Sequence, residues 1–543
     1  MKLRLFFFLF FICCSIFHLS AQFEDDFKFS EVTKKQYTPV IDILPLESGN
    51  VFVVRGKRLF VRRIPREPMP ASFFELLDKD LNLKKTVGPD ELFSNFSDGQ
   101  ERKFHSALVL DGKTIVFYSK QPNYSSISLF AAELKESKMV LSSAEKLIAV
   151  FDKKNKQGNG RLDIFTSKDK ERLVCVFREK VKDKEVTGSI DMVVLNNKLE
   201  KQWASSLLKP VIDFKMSDYS EILIKDNGEV FVLEEVNSYQ KNLGEEEDLK
   251  FEFIINKFDA EGEKSIERTL SSIDQEVRNL HLSLGLNDDI LVTGFYSNKA
   301  KGEKEYGGVV YLRFDTALLE PVSTQMLPLE PYLTEDGPSD FSGMMNLNGK
   351  NKRTPNRYLK TRGIIHQQDG TVILIAEKHS QSYSDAKTDS KGSFIGHFLR
   401  DIILIKFNAD GTIAWKDKIV KNQFYEAYTV EKPDNIGSLG YASFTYATKA
   451  NNIYLFYNDH PANLEFGKTQ KDLKRCPNSL KSNFCVVSVN QSGLMEKRVL
   501  FSSKDKKIIM NPAFAESSDG GREQLILLSR YGNKESFVRY PKR

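Results

Sequence analysis

A recurring unit of strands and turns limits the folds open to this chain more than any other feature. Each unit holds a nearly continuous apolar run, followed by a second apolar strand and a turn that opens with Asp, Asn or Lys. A run that is apolar on both faces is typical of a strand buried on both sides. The apolar runs begin near Val51, Thr114, Arg172, Glu229, Ile290, Thr371, Ile453 and Gln524. The turns open at Asp78, Lys135, Asn196, Asp259, Asp315, Asn408 and Asn490.

The spacing of the apolar runs sets the size of the unit. It is about 57–63 residues in the first half of the chain and about 71–82 residues in the second. Four short strands with their loops fill such a period, and helical periodicity is nearly absent. The sequence therefore predicts an all-β fold, a single β-propeller of about eight four-stranded blades, with seven as the alternative count.

The strand count at the two chain ends predicts how the ring closes. The last unit has no sequence left after Tyr540 for an outer strand, and Phe27–Val32 belongs to no unit. Pairing these segments satisfies backbone groups that an open sheet edge would expose. We therefore expect the propeller to be closed by an N-terminal strand.

Two stretches resemble repeats of bacterial secreted propellers in the broad PQQ-like and WD40-like superfamily. They are Phe253–Ser265 (FIINKFDAEGEKS) and Ile402–Lys418 (IILIKFNADGTIAWKDK). The HLSAQ segment near the N-terminus and the Lys-, Asn- and Phe-rich composition are similar to exported proteins of Bacteroidetes. The resemblance implies a propeller and no specific activity, because propellers host many unrelated functions.

The N-terminus has the pattern of a secretory signal peptide, residues 1–21. Lys2 and Arg4 precede an apolar stretch from Leu5 to Phe17, and Leu19-Ser20-Ala21 supplies the residues that a signal peptidase reads. The apolar stretch is too short to span a bilayer as a helix. We expect export to the periplasm, the cell surface or the extracellular space. Residues 22–543 then form the propeller, with no transmembrane segment after cleavage.

The charge pattern limits the partners. The chain holds 79 Lys and Arg against 74 Asp and Glu, a net charge of +5, and the two signs are interspersed. Such a pattern is typical of a solvated surface and gives no support for nucleic-acid binding. We expect a monomer that binds a protein, a peptide or a glycan.

Cysteine positions predict one disulfide. Cys476 and Cys485 lie in a polar stretch (RCPNSLKSNFC), and exported proteins form disulfides. Cys175 lies inside an apolar run, which is typical of a buried free thiol.

The long connections point to one face of the propeller. They join the second strand to the third within a blade, or one blade to the next, and those connections lie on the same face. The longest insertions are 328–360, 377–400 and 458–485. Because binding residues concentrate on loops held by a rigid scaffold, we expect this face to carry the function.

The candidate functional residues on this face give only a weak signal of a site. His379, His397, Asp459 and His460 fall in its predicted loops and offer metal-ligand types, without the fixed spacing of a known metal motif. Only Trp203 and Trp415 are present, which disfavours a quinone cofactor. We therefore assign no catalytic residue, cofactor or bound metal from the sequence. The sequence favours a non-enzymatic exported binding scaffold. The alternative is a propeller hydrolase or lyase that acts on polysaccharide or peptide, with carboxylates around the central channel.

Overall fold

The computed structural model of the chain describes most of the residues after the N-terminal segment. The described residues are 27–34, 40–56, 71–123, 125–153, 161–178, 188–209, 219–240, 248–270, 275–285, 288–298, 306–330, 333, 356–384, 394–427, 441–464, 473–477, 479–517, 524–531 and 534–541. The predicted signal peptide, 1–21, lies outside them. In these parts of the chain, no helix is long and apolar enough to cross a membrane.

The described residues of the first half of the chain form nineteen strands. Two short ones, β1 (Lys28–Phe29) and β2 (Thr33–Lys34), precede the first blade. Blade 1 is β3 (Val40–Pro45), β4 (Val51–Gly56), β5 (Ala71–Leu77) and β6 (Leu83–Val87). Blade 2 follows the short helix α1 (Pro89–Leu92) and is β7 (Arg102–Leu110), β8 (Lys113–Asn123), β9 (Ser126–Lys135) and β10 (Val140–Leu141), with β11 (Lys146–Asp152) also paired to β9. Blade 3 is β12 (Arg161–Thr166), β13 (Arg172–Arg178), β14 (Gly188–Asn196) and β15 (Lys201–Lys209). Blade 4 is β16 (Tyr219–Ile224), β17 (Val230–Gln240), β18 (Asp248–Phe258) and β19 (Lys264–Thr269).

The second half supplies the other four blades. Blade 5 is β20 (Gln275–Leu284), β21 (Ile290–Asn298), β22 (Tyr306–Phe314) and β23 (Pro321–Pro328). Blade 6 is β24 (Asn356–His366), β25 (Val372–Ser384), β26 (Phe394–Phe407) and β27 (Ile413–Ile419), with β28 (Gln423–Ala427) also paired to β26. Blade 7 is β29 (Thr445–Lys449), β30 (Asn452–Asp459), β31 (Asn483–Val489) and β32 (Met495–Ser502). After helix α2 (Ser503–Lys506), blade 8 is β33 (Ile509–Ser517), β34 (Leu525–Tyr531) and β35 (Lys534–Tyr540).

The eight antiparallel sheets form one β-propeller, as the sequence predicts. First strands of neighbouring blades contact each other around the ring, for example β12 with β16 and β16 with β20, so they are the innermost strands. Second strands are buried on both faces, as their apolar runs predict: all six residues of β4 are buried. The core therefore consists of apolar layers between adjacent blades, such as Val51 and Val53 of blade 1 against Leu528 and Phe537 of blade 8.

Turns between third and fourth strands use the Asp and Asn residues that the sequence singles out. Asp78 Oδ1 accepts hydrogen bonds from the backbone nitrogens of Asp80 and Asn82, both at 2.8 Å. Asp259 and Asn490 bind the backbone two and four residues ahead in the same way. An Asx turn of this kind stabilises the tight connection between the third and fourth strands.

The N-terminal segment closes the ring, as predicted. Strand β1 pairs with β35 in the register Lys28↔Arg539 and Phe29↔Val538, and β2 pairs with the other end of β35. Between them, the Ser30 nitrogen donates to the Phe537 carbonyl at 2.9 Å. Blade 8 thereby gains its fourth strand, and the outer edge of β35 is covered.

A buried ionic bridge joins the closing blade to blade 1. Arg55 on β4 donates from Nε to Glu75 at 2.6 Å and also pairs with Glu535 on β35, which Arg530 contacts as well. Burial raises the pKa of Glu535, but hydrogen bonds and charge from Arg55 and Arg530 more than offset this, and the pKa lies below its ordinary value. The carboxylate therefore stays ionised. Removing one partner of such a bridge leaves an uncompensated buried charge.

One insertion is shorter than the sequence predicts. Strand β25 continues to Ser384 and β26 begins at Phe394, so most of 377–400 is strand. The reason is that β28 pairs with β26 at Gln423–Ala427 and extends the sheet beyond the blade. The connections at 334–355 and 465–472 lie outside the described residues.

Ring closure can be tested at Phe27, which is 5% exposed and packs with its ring centroid 4.9 Å from that of Tyr540 and 5.7 Å from that of Phe456. Phe27→Ala should lower the free energy of unfolding by about 3 kcal/mol or more, because a buried ring between two blades is lost. The control, Val32→Ala, alters a side chain that is 49% exposed and should change it by about 0.5 kcal/mol or less. If urea unfolding gives the same free energy of unfolding for the two variants, the closure is contradicted.

Candidate functional site

Breaks in strand register mark one level of the central channel. Six innermost strands shift register against their second strands by a bulge, whereas β12 and β29 keep an unbroken register. The shifts lie between Val40 and Asp42, Phe104 and Ser106, Tyr219 and Glu221, Arg278 and His281, Thr361 and Gly363, and Asn511 and Ala515. Bulges re-aim side chains and are frequent beside active sites.

Polar residues gather at this level in six consecutive blades. We call this set the channel belt: Asp42, His105, Asp163, Glu221, His281 and Arg362, one from each of blades 1 to 6. All six are half-buried and lie on innermost strands. Ionisable side chains are unusual at such positions when their role is only structural, because apolar side chains would be buried there at a lower cost in free energy.

Glu221 and His281 form a carboxylate–imidazole pair across blades 4 and 5. His281 Nδ1 hydrogen-bonds to Glu221 Oε1, and the second carboxylate oxygen accepts from the backbone nitrogen of Leu282. The side chains are 29% and 30% exposed, so the pair is in contact with solvent. A carboxylate at Nδ1 fixes the ring and its tautomer, which leaves Nε2 as the basic nitrogen.

Asp42 and His105 are the two titratable groups that burial disturbs most in the belt. Burial raises the pKa of Asp42 to about 6, although a hydrogen bond from the Ile43 nitrogen acts the other way. No ion pair involves Asp42 within the described residues. Burial, and then the charge of Lys103, lower the pKa of His105 to about 4; its Nε2 lies 2.8 Å from Ser119 Oγ. The belt thus contains a carboxyl group that titrates near neutrality and a neutral imidazole.

Asp163 and Arg362 carry fixed charges. Asp163 accepts from Arg161 at 2.8 Å and from the buried Arg178 at 3.2 Å. Arg362 donates from Nε at 3.0 Å and Nη2 at 2.6 Å to one oxygen of Glu377, which is fully buried. Both side chains are therefore held in one orientation by charge-assisted hydrogen bonds.

The four metal-ligand candidates of the sequence do not form one site. His379 lies on β25 and His397 on β26, in strands and not in loops as predicted, because these strands run on beyond the blade. His379 Nε2 is 3.0 Å from His397 Nδ1, and the rings stack 5.3 Å apart. Burial lowers the pKa of His379 to about 3 and of His397 to about 4, so both rings are neutral.

The other two candidates lie in blade 7. Asp459 ends β30 and pairs with Lys497 at 2.6 Å, while Asn463 donates to its second oxygen at 2.9 Å. His460 Nδ1 accepts from the backbone nitrogen of Ala462. Among the described residues, no group of three or more His, Cys, Asp or Glu side chains is arranged to hold a metal ion.

Cys476 and Cys485 are both buried free thiols in this structure, as is Cys175. Both lie within electrostatic reach of the Tyr457 hydroxyl, so they border the same buried region. Burial raises the pKa of Cys485 to about 12, and that of Cys476 is raised for the same reason. Thiols of this kind react slowly once the blade is folded.

The disulfide between these two cysteines stays a prediction, to be tested on protein made in an oxidising compartment. Non-reduced peptide mass spectrometry should recover Cys476 and Cys485 in one cross-linked species. The bridge should add roughly 2–3 kcal/mol to the free energy of unfolding on the chain-entropy model. Two free thiols in oxidised, exported protein would contradict it.

The channel belt was not predicted from the sequence, although the spacing of its residues contains a signal for it. Asp42, His105, Asp163, His281 and Arg362 each stand nine residues before the start of the next apolar run, and Glu221 stands eight before. The same spacing leads to Phe444 in blade 7 and Ala515 in blade 8. The predicted carboxylates around the channel are therefore present in blades 1, 3 and 4, and the last two blades contribute no charge at these positions.

Comparisons with known proteins give weak similarities. No protein-family model matches the chain, and no curated protein matches it. Among solved structures, the polysaccharide lyase Uly1 is 10% identical with a TM-score of 0.35, over 94% of this chain and 100% of that one. A puromycin hydrolase is 8% identical (TM-score 0.31; 82% and 61% covered), and an ulvan lyase bound to a sugar is 10% identical (0.32; 79% and 90%). Similarities at this level establish no activity for this chain.

The raised pKa of Asp42 predicts a stability effect that depends on pH. The folded protein holds this proton up to about pH 6, while the unfolded chain releases it near 3.8. Ionising Asp42 therefore costs stability, and the cost grows as the pH rises from about 4 to 6. Asp42→Asn should be more stable than the parent by about 1–2 kcal/mol at pH 8 and equal to it at pH 3.5.

The matched control is Asp163→Asn, which removes a carboxylate paired with two arginines. This variant should be less stable at pH 8, because the buried Arg178 loses a charged partner. Urea unfolding at the two pH values measures both effects. An Asp42→Asn variant that is destabilised at pH 8 would contradict the assignment of Asp42.

Proposed function

We propose that this protein is a propeller enzyme that cleaves a polysaccharide by general acid–base catalysis in its central channel, with His281 as the base. The observation that carries the proposal is the Glu221–His281 pair. It lies on two innermost strands, directly beyond their bulges, and its side chains remain in contact with solvent.

The geometry of the pair matches what a general base requires. When Nδ1–H donates to Glu221, the lone pair of Nε2 is free to accept a proton from a substrate or a water molecule. The carboxylate also stabilises the imidazolium that forms. Because Glu221 is itself held by the Leu282 nitrogen, the ring keeps its orientation without help from the substrate.

A second titratable group supports acid–base chemistry. Asp42, with its pKa near 6, exists in both protonation states close to neutral pH. A carboxyl group kept where it costs stability is typical of a functional site. The His281 base and a carboxyl group whose pKa is raised to about 6, at one level of one channel, allow proton removal and proton return in one catalytic cycle.

The competing proposal is the non-enzymatic binding scaffold that the sequence alone favours. It assigns function to the loop-rich face and gives the channel belt no role in turnover. Neither proposal depends on where the protein acts; we propose export to the periplasm or beyond, from the signal-peptide pattern of residues 1–21.

The activity is tested with His281→Asn and Glu221→Gln on a panel of neutral and anionic polysaccharides, by reducing-end release and by absorbance of unsaturated product. His281→Asn should lower kcat by about 100-fold or more, since a positioned base contributes about that much. Glu221→Gln should lower it less, and KM should change little in either variant.

The matched control is His366→Asn, another half-buried histidine of an innermost strand, whose Nε2 contacts Ser283 Oγ at 3.1 Å, beyond the level of the channel belt. This variant should retain parent activity. If the parent cleaves a polysaccharide and His281→Asn retains its kcat, the assigned base is wrong. If the parent cleaves none and still binds one of them, the scaffold proposal is supported.

A further inference from the structure

Blade 6 holds one carboxylate between two cations at the channel wall. Glu377 accepts Lys421 Nζ at 2.6 Å on one oxygen and Arg362 on the other, with Ser443 Oγ donating to the same second oxygen at 2.8 Å. Burial raises the pKa of Glu377, but the charges of Lys421 and Arg362 outweigh this and set it at about 2. The carboxylate is therefore ionised and holds both cations.

Of these two cations, Arg362 is the one that reaches solvent. Lys421 is fully buried, whereas the side chain of Arg362 is 15% exposed. Its Nε and Nη2 are engaged by Glu377, and Nη1 makes no hydrogen bond within the described residues. A guanidinium that is fixed on one edge and open on the other is preorganised to donate to an anion.

Other charges of blade 6 are paired nearby. Asp401, also fully buried, pairs with Lys378 at 3.2 Å and Lys418 at 3.5 Å.

The location links this charge to the proposed base. Arg362 is the bulge residue of β24, and His281 follows the bulge of β20, the adjacent innermost strand. Asn279, inside the β20 bulge, donates to the Leu359 carbonyl of β24 at 2.8 Å and ties the two strands together at this level. A ligand anion at Arg362 would therefore lie beside the Glu221–His281 pair.

Resting on the proposed function, we infer that the substrate is an anionic polysaccharide and that Arg362 recognises its negatively charged group. Carboxylate and sulfate oxygens present the same chemistry to a guanidinium edge. Glu377 acts as a positioning residue, because it holds Arg362 without touching the sugar.

Binding is measured by calorimetry with three probes: oligogalacturonate, which carries carboxylates only; dextran sulfate, which carries sulfates only; and neutral dextran. The parent should bind at least one anionic probe and not dextran. Arg362→Met should weaken that binding about 10- to 100-fold, and Arg362→Lys should recover part of it. The stronger of the two anionic probes identifies the group recognised.

The matched control is Arg313→Met. Arg313 lies on the third strand of blade 5 and is likewise held by one carboxylate, that of Asp289. Its affinity should stay within about twofold of the parent. Arg362→Met leaves Glu377 paired with Lys421, so the fold should persist, and thermal melting verifies this.

Unchanged binding by Arg362→Met, or a parent that binds neither anionic probe, overturns the inference. Loss of turnover in His281→Asn without any effect at Arg362 would leave the proposed function intact.

Discussion

Burial of both faces of every blade is the constraint on which the rest of the structure depends. The second strands meet it with continuous apolar residues, so each blade must lie between two neighbours and the ring must close. The outer edge of the last blade is closed by β1. The innermost strands keep one free edge toward the axis, and their bulges occur at a common level. Polar side chains can occupy that level without breaking the core, because solvent reaches them there.

Buried charges play two different roles in this ring. Arg55, Glu75 and Glu535 form a bridge in which each charge has a partner, and it links blades 1 and 8. At the channel belt the arrangement differs: among the described residues Asp42 has no ion-pair partner, and Arg362 keeps Nη1 without a hydrogen bond while Glu377 holds its other edge. The first arrangement suits structure and the second suits a ligand, because an incomplete set of partners gains most from binding one.

The sequence predicts the fold far better than the site. Apolar runs, Asx turns and the unpaired segment at Phe27–Val32 are local features, and each appears in the structure where expected. The belt is not local: it exists because residues some sixty positions apart share a level, and bulges at His105 or Arg362 leave no mark in composition. The predicted loop placement of His379 and His397 was wrong because the strands extend beyond the blade. This extension brings the two rings into contact with each other. Only the spacing of eight or nine residues before each apolar run could have revealed the belt.

The central claim is that substrate binds inside the channel, against blades 4 to 6, and not on the outer loops. A crystal structure of the protein with a bound oligogalacturonate tests this most directly. We expect sugar within hydrogen-bond distance of Arg362 Nη1, with a ring facing His281 Nε2. Sugar bound to residues 334–355 or 465–472, with the channel empty, would contradict this placement.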